Sequence, residues 1–146
     1  GADKHNITTK ILSLLEPVER VKIIDVIIGS TFLFVKELEN MINKSKKEIN
    51  IFSSLSSNDI FERMNIADFG ILPASSVSIE AISIGMPFMV GYYADNQLNY
   101  YHTLTKKENV FGLDNLLKLD SLNIDSYDNK NYYSYKINST NLKKIF

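Results

Sequence analysis

The sequence predicts an α/β domain with a doubly wound, mostly parallel sheet. Three observations carry that prediction. β-Branched apolar runs alternate with stretches of helical periodicity along the chain. The links between them are only a few residues long. The strand candidates read as continuous apolar runs, as strands covered on both faces do. A chain of 146 residues matches one domain by the usual size of roughly 150.

Each element follows in order. Ile7, Ile11, Leu14 and Leu15 recur at helical spacing, with Asn6 or Thr8 as the cap and Pro17 at the end. Val21 to Ile28 is a buried strand closed by Gly29-Ser30. From Phe32, the positions Val35, Leu38, Met41 and Ile42 mark a second helix that ends in Lys44-Ser45-Lys46-Lys47. Glu48 to Phe52 is a short strand. Ser57, Asn58 and Asp59 are N-cap types ahead of a helix bearing Ile60, Phe61 and Met64. A strand lies within Ile66 to Leu72, a helix over Ser76 to Ile84 closed by Gly85, and a strand over Pro87 to Tyr92. Asn96 to about Lys107 reads as a helix, Val110-Phe111 as a last short strand, and Asn115 to Leu119 as a short helix. From Asp120 the pattern changes to Asn, Asp, Tyr and Lys. The expected division is therefore a Rossmann-like domain over 1–119 and a Tyr/Asn-rich extension over 120–146 that packs back on it. The tail tyrosines Tyr127, Tyr132, Tyr133 and Tyr135 read as packing and interface residues.

Composition narrows the function classes. Hydrophobic residues make up 45% and charged residues 23%, an ordinary globular balance. Sixteen Lys+Arg against seventeen Asp+Glu give a net charge of −1, so bulk attraction to nucleic acid is not expected. Cysteine is absent, which removes disulfides and thiol nucleophiles and makes a cytoplasmic address the expectation. The two histidines, His5 and His102, lie far apart, and no metal or organic cofactor is called for. His5 reads as a solvated loop residue and His102 as surface or packing. Apolar stretches are too short for a transmembrane segment.

The informative stretch is Asp68 to Gln97. A strand runs into Pro73-Ala74-Ser75-Ser76 and then into a helix. The free N–H groups at that helix start form an anion site, to which the hydroxyls of Ser75, Ser76 and Ser78 add donors. The helix is otherwise apolar and expected to be buried, yet it carries Glu80 in its second turn. A carboxylate there can hold the vicinal hydroxyls of a ribose. Asn96 and Gln97, at the next strand end, suit sugar hydroxyls. The plain alternative weighs about as much: Ser75 or Ser76 and Asp95-Asn96 are simple helix caps.

These residues resemble the C-terminal half of GT-B-type nucleotide-sugar enzymes. The resemblance is nearest to the UDP-sugar hydrolases of pseudaminic acid biosynthesis and more distant to the lipid II-forming glycosyltransferases. It runs through Ala67-Asp68, Ala74-Ser75-Ser76, Glu80, Gly85-Met86-Pro87 and Asp95-Asn96-Gln97, and upstream through Gly1 to Thr8. About residues 2 to 105 are covered. The resemblance implies that Glu80 holds the ribose of a uridine nucleotide and that Ser75, Ser76 and Val77 meet the diphosphate. It further implies that the loop from Ser57 to Ile60 lies against uracil, and that Asn96 and Gln97 face the sugar. Two departures stand out: many relatives have Gly at Ser75 and Thr at Val77.

The resemblance also implies a UDP-sugar as ligand, and an N-terminal half of the same polypeptide that supplies the general base, a histidine. This half is expected to be missing a first, central strand ahead of Gly1, and Tyr132 to Ile137 is a candidate to fill the gap. The expected function is the UDP-sugar-binding domain of a hydrolase that releases UDP. The alternatives are a glycosyltransferase of cell-surface polysaccharide assembly, and a non-catalytic binding module on the same fold.

Overall fold

The computed structural model describes residues 3–124 and the backbone of one further strand, Leu142–Ile145. Its centre is a six-stranded sheet built from β1 (Val21–Ile28), β2 (Glu48–Ser53), β3 (Phe69–Pro73), β4 (Phe88–Tyr92), β5 (Val110–Asn115) and β6 (Leu142–Ile145). The order is β2-β1-β6-β3-β4-β5, and every neighbouring pair is parallel. The helices are α1 (Ile7–Leu15), α2 (Val35–Lys44), α3 (Ser57–Ile66), α4 (Ser76–Ser83) and α5 (Leu98–Leu104), with a 3₁₀ turn over Asp95–Gln97.

The apolar pattern sorts the helices onto two faces. Ile7, Ile11, Leu12 and Leu15 of α1 and Leu38 of α2 pack with Ile24, Val26, Phe69, Ile71 and Met89. On the other face, Met64, Ala81, Tyr101 and Leu104 pack with Leu72, Phe88 and Val90. The expected α/β sheet with helices on both faces is therefore present. Leu116, Leu122 and Ile124 are buried in the first cluster, so the chain past residue 119 contributes to the same core. Leu116 seats directly on β4 because Gly91 has no side chain: a Cβ there would overlap the Leu116 side chain.

Several local expectations change. Asn115 to Leu119 is not a helix. Asn115 ends β5, and its Oδ1 accepts from the Leu117 N–H at 2.9 Å, an Asx turn that carries the chain off the sheet. β5 outruns its apolar start because it is an edge strand, where exposed positions are tolerated. The Asn96 to Lys107 helix divides into the 3₁₀ turn and the shorter α5. The cap of α3 is Ser56, not Ser57 to Asp59: Ser56 Oγ accepts from the Asp59 N–H at 3.1 Å, and the Asp59 carboxylate returns to the Ser56 N–H in a capping box. The central gap is occupied by Leu142–Ile145, a stretch that reads as polar tail; Tyr132 to Ile137 lies outside the described residues.

One charge is buried in the sheet. Asp25, at the middle of β1, is 2% exposed. Its Oδ1 accepts from Asn50 Nδ2 at 3.1 Å, and its Oδ2 lies 3.5 Å from Arg63 Nε of α3. The Arg63 guanidinium also stacks over the Phe52 ring at 4.4 Å. The pair fastens α3 to the β1–β2 edge. Asp25→Ala strands Arg63 and should cost ~2–3 kcal/mol in denaturant unfolding, toward the low side for a broken buried pair because Arg63 keeps some water contact.

Tyr101 fastens α5 in the same manner. Its hydroxyl donates to Asp114 Oδ1 at 2.8 Å and accepts from the Asp114 N–H at 3.0 Å. Burial first, and the Asp114 carboxylate second, push the phenol up to about 12. An unfolded tyrosine ionises near 10, so above that pH the unfolded chain sheds a proton that the folded chain keeps. The resulting stability, on the order of 2–3 kcal/mol, is intact below pH ~10 and is lost as pH rises toward 12. Urea unfolding from pH 9 to 11.5 should show this fall, and Tyr101→Phe should remove most of its slope.

Candidate functional site

A cavity of about 470 Å³ lies over the carboxyl ends of β1 and β3. Doubly wound sheets bind ligands at this end, where the direction of strand addition reverses. Ile27, Ile28, Gly29 and Phe32 supply one side; Leu72, Pro73, Ser75, Ser76 and Val77 supply the other. Ser54, Leu55 and Ile60 close it from β2 and α3, and Asp3, Ile7, Thr8, Tyr93 and Leu116 complete the wall.

Two helices begin at this cavity, and they differ in charge. The start of α1 is already filled. Asp3 Oδ1 accepts from the Ile7 N–H and Oδ2 from the Thr8 N–H, both at 2.8 Å, and Thr8 Oγ1 donates to Oδ2 at 2.7 Å. Asp3 therefore replaces the expected caps: Asn6 sits at the N-cap position in a left-handed conformation with no side-chain cap bond, and Thr8 donates instead. The start of α4 is open. Ser75 is its N-cap residue, and its hydroxyl makes no cap bond but donates to the Pro73 carbonyl at 3.5 Å, so the simple-cap alternative is not what it does. The first N–H groups of a helix have no partner within it, and Ser76 and Val77, which line the cavity, have no carboxylate against them among the described residues.

The structure brings some of the sequence-derived residues together and leaves others apart. Ser75, Ser76, Val77 and Ile60 line the cavity. Ser78 does not: it is fully buried, and its hydroxyl donates to the Pro73 carbonyl at 2.7 Å, so it is withdrawn from the donor set. Ser57 is exposed in the first turn of α3, outside the lining. Glu80 is half-buried one turn above Ser76, is not a lining residue, and has no carboxylate partner among the described residues. The expectation that its helix is wholly buried is corrected. α4 buries only Ser78 and Ala81, and Ile79 is 48% exposed, so Glu80 can be solvated where it stands. Asn96 is exposed, whereas Gln97 Oε1 accepts from the Tyr93 N–H at 2.9 Å. Gln97 thus acts on the cavity through the backbone of Tyr93.

His5 and His102 are both exposed; their rings neighbour Tyr93 and Tyr101 respectively. Among the described residues no three acidic or histidine side chains gather as a metal site. No described helix is long and apolar enough to cross a membrane. The residue that sequence reasoning missed at the site is Asp3. Its signal was present, an Asp four residues ahead of the first apolar position of a helix, but Asn6, an equally favoured cap type, is nearer.

Comparison with known proteins adds one similarity. The chain is 29% identical over 107 residues to the uncharacterized protein MJ1062 of Methanocaldococcus jannaschii. The match covers 73% of this chain and 22% of that protein, so the chain spans about a fifth of the relative's length. No protein-family description matches the sequence, and no solved structure gives a significant match.

Removing the α1 cap has a defined expectation. Asp3→Ala loses three hydrogen bonds at one helix start. It should lower stability by ~1–2 kcal/mol, read from the midpoint of urea unfolding, with the far-UV circular dichroism of the native state retained.

Proposed function

We propose that the cavity takes the nucleoside diphosphate of a UDP-linked amino sugar, as part of a hydrolase that releases UDP in surface-polysaccharide or nonulosonic acid biosynthesis. The observation that carries this reading is the contrast between the two helix starts. One is closed by its own aspartate, and the other, at Ser75, Ser76 and Val77, lines the same cavity with no carboxylate against it among the described residues. The diphosphate rests on the start of α4, and Leu55 and Ile60 offer an apolar wall to the base. Glu80, a turn further along, meets the ribose at the rim rather than inside the cavity.

In the reaction, water bonds to the anomeric carbon as the bond from that carbon to the diphosphate oxygen breaks. The water's proton passes to a base on a second half of the protein, as the resemblance implies. The α4 N–H groups and serine hydroxyls hold the charge that develops on the departing diphosphate. They are fixed before the reaction and need no rearrangement as it proceeds.

A second reading is favoured by Val77 and by the position of Glu80. Val77 supplies no hydroxyl at the anion site, and the Glu80 carboxylate stands outside the cavity wall. Both fit a binding module that retains the fold without the nucleotide. Titration calorimetry separates the two. UDP should bind at least tenfold more tightly than uridine; Ser76→Asp should weaken UDP by tenfold or more, and Glu80→Ala by roughly tenfold, about 1.4 kcal/mol. No heat with UDP assigns the module. For the parent enzyme, free sugar released from a UDP-sugar without an acceptor marks hydrolysis, whereas sugar transferred to an acceptor marks a glycosyltransferase.

A further inference from the structure

We infer that Ser54 is a specificity-determining residue of the cavity, its hydroxyl meeting a polar edge of the nucleobase; the inference rests on the nucleotide reading above. Backbone conformation is the first ground. Ser54 has a φ of 56°, in the left-handed region. Among the described residues, Asp3, Asn6, Asn109 and Asp114 are the other non-glycine residues with positive φ. Those four are Asn or Asp, whose short polar side chains tolerate this conformation. Serine is the exception. A residue of its kind held there costs stability, and such positions gather at ligand clamps.

The fold accounts for the bend but not for the serine. β2 ends at Ser53, and the Ser54 N–H donates to the Ile28 carbonyl at 3.3 Å. That bond ties the end of β2 to the end of β1 and starts the turn into α3. Glycine or asparagine would make the same turn with less strain. What serine adds over glycine is a hydroxyl, and the fold makes little use of it. The hydroxyl stands 3.4 Å from that of Ser53, beyond the usual range for such a bond, and both residues are exposed.

Position is the second ground. Ser54 lines the cavity beside Leu55 and Ile60, and among these three it alone carries a side-chain polar group. Ser57, in the loop expected to lie against uracil, is outside the lining. Leu55 and Ile60 suit the flat faces of a base but would take any base alike. Selectivity needs a group that bonds the base edge and is left unpaired by the wrong base. A hydroxyl both donates and accepts, so it can meet a carbonyl or the ring N–H of uracil. Ser75 and Ser76 lie on the opposite side of the cavity, where the diphosphate is placed.

The test uses the full chain, with Ser54→Gly and Ser54→Ala. Calorimetry reads the affinities for UDP and for inorganic pyrophosphate, and a thermal melt reads stability. Both variants should bind UDP about fivefold more weakly, the loss of one hydrogen bond, and should bind pyrophosphate as before. Ser54→Gly should also melt roughly 2 °C higher, because the strain is relieved, whereas Ser54→Ala should not. A gain in stability with a loss in affinity is the mark of a residue kept for its ligand. Unchanged UDP affinity in Ser54→Ala overturns the inference while leaving the nucleotide reading in place. So does a loss confined to Ser54→Gly, which would report backbone stiffness, or an equal loss for UDP and pyrophosphate. A lower melting temperature for Ser54→Gly overturns it too, since the serine would then serve the fold. If the unaltered chain gives no heat with UDP, the nucleotide reading fails and the role of Ser54 fails with it.

Discussion

The sheet depends on one constraint: a strand in the middle of a doubly covered parallel sheet cannot leave its backbone groups unpaired. β1 and β3 are buried on both faces, and neither reaches the other. Something has to stand between them and supply N–H and C=O groups on both sides. Leu142–Ile145 does so for the lower part of both strands. The two helical layers and the placement of α1 and α4 at one end of the sheet follow from that closure. The cavity lies over the carboxyl ends of β1 and β3, the two strands that β6 joins.

Electrostatics then gives the cavity its asymmetry. Two helix dipoles point their positive ends into one space, and an anion has a choice of seats. Asp3 removes the choice by placing a permanent carboxylate on α1. The Thr8 hydroxyl ties that carboxylate down, so it is held there by three donors. That carboxylate repels an anion on the α1 side, whereas the start of α4 has no carboxylate against it among the described residues. A mainly apolar wall between the two strengthens both effects, since charges interact more strongly where water is displaced.

Much of the fold was legible because the signals were local. Val21–Ile28 is a β-branched run closed by Gly29, and α4 follows β3 through Pro73 and Ser75, so periodicity and punctuation sufficed. The closing strand was not legible. LKKI has neither the length nor the apolar content of a central strand, and only its partners far away in the chain give it that place. Ser75, Ser76 and Ile60 lie at strand-to-helix junctions, which topology gathers at one end of any such sheet, and they line the same cavity. The partners of Ser78 and Gln97 were not legible because a polar type does not reveal them: Ser78 bonds the Pro73 carbonyl, and Gln97 accepts from the Tyr93 N–H. Glu80 stood out on the premise of a buried helix, and α4 turned out to lie at the surface.

The long reach of β6 has a consequence during synthesis. Residues 21–25 and 69–70 wait for partners at 142–145, so the middle of the sheet cannot close while the ribosome is still making the segment between. Nascent β1 and β3 emerge early and stay open-edged, the state in which chains associate wrongly or recruit holdase chaperones.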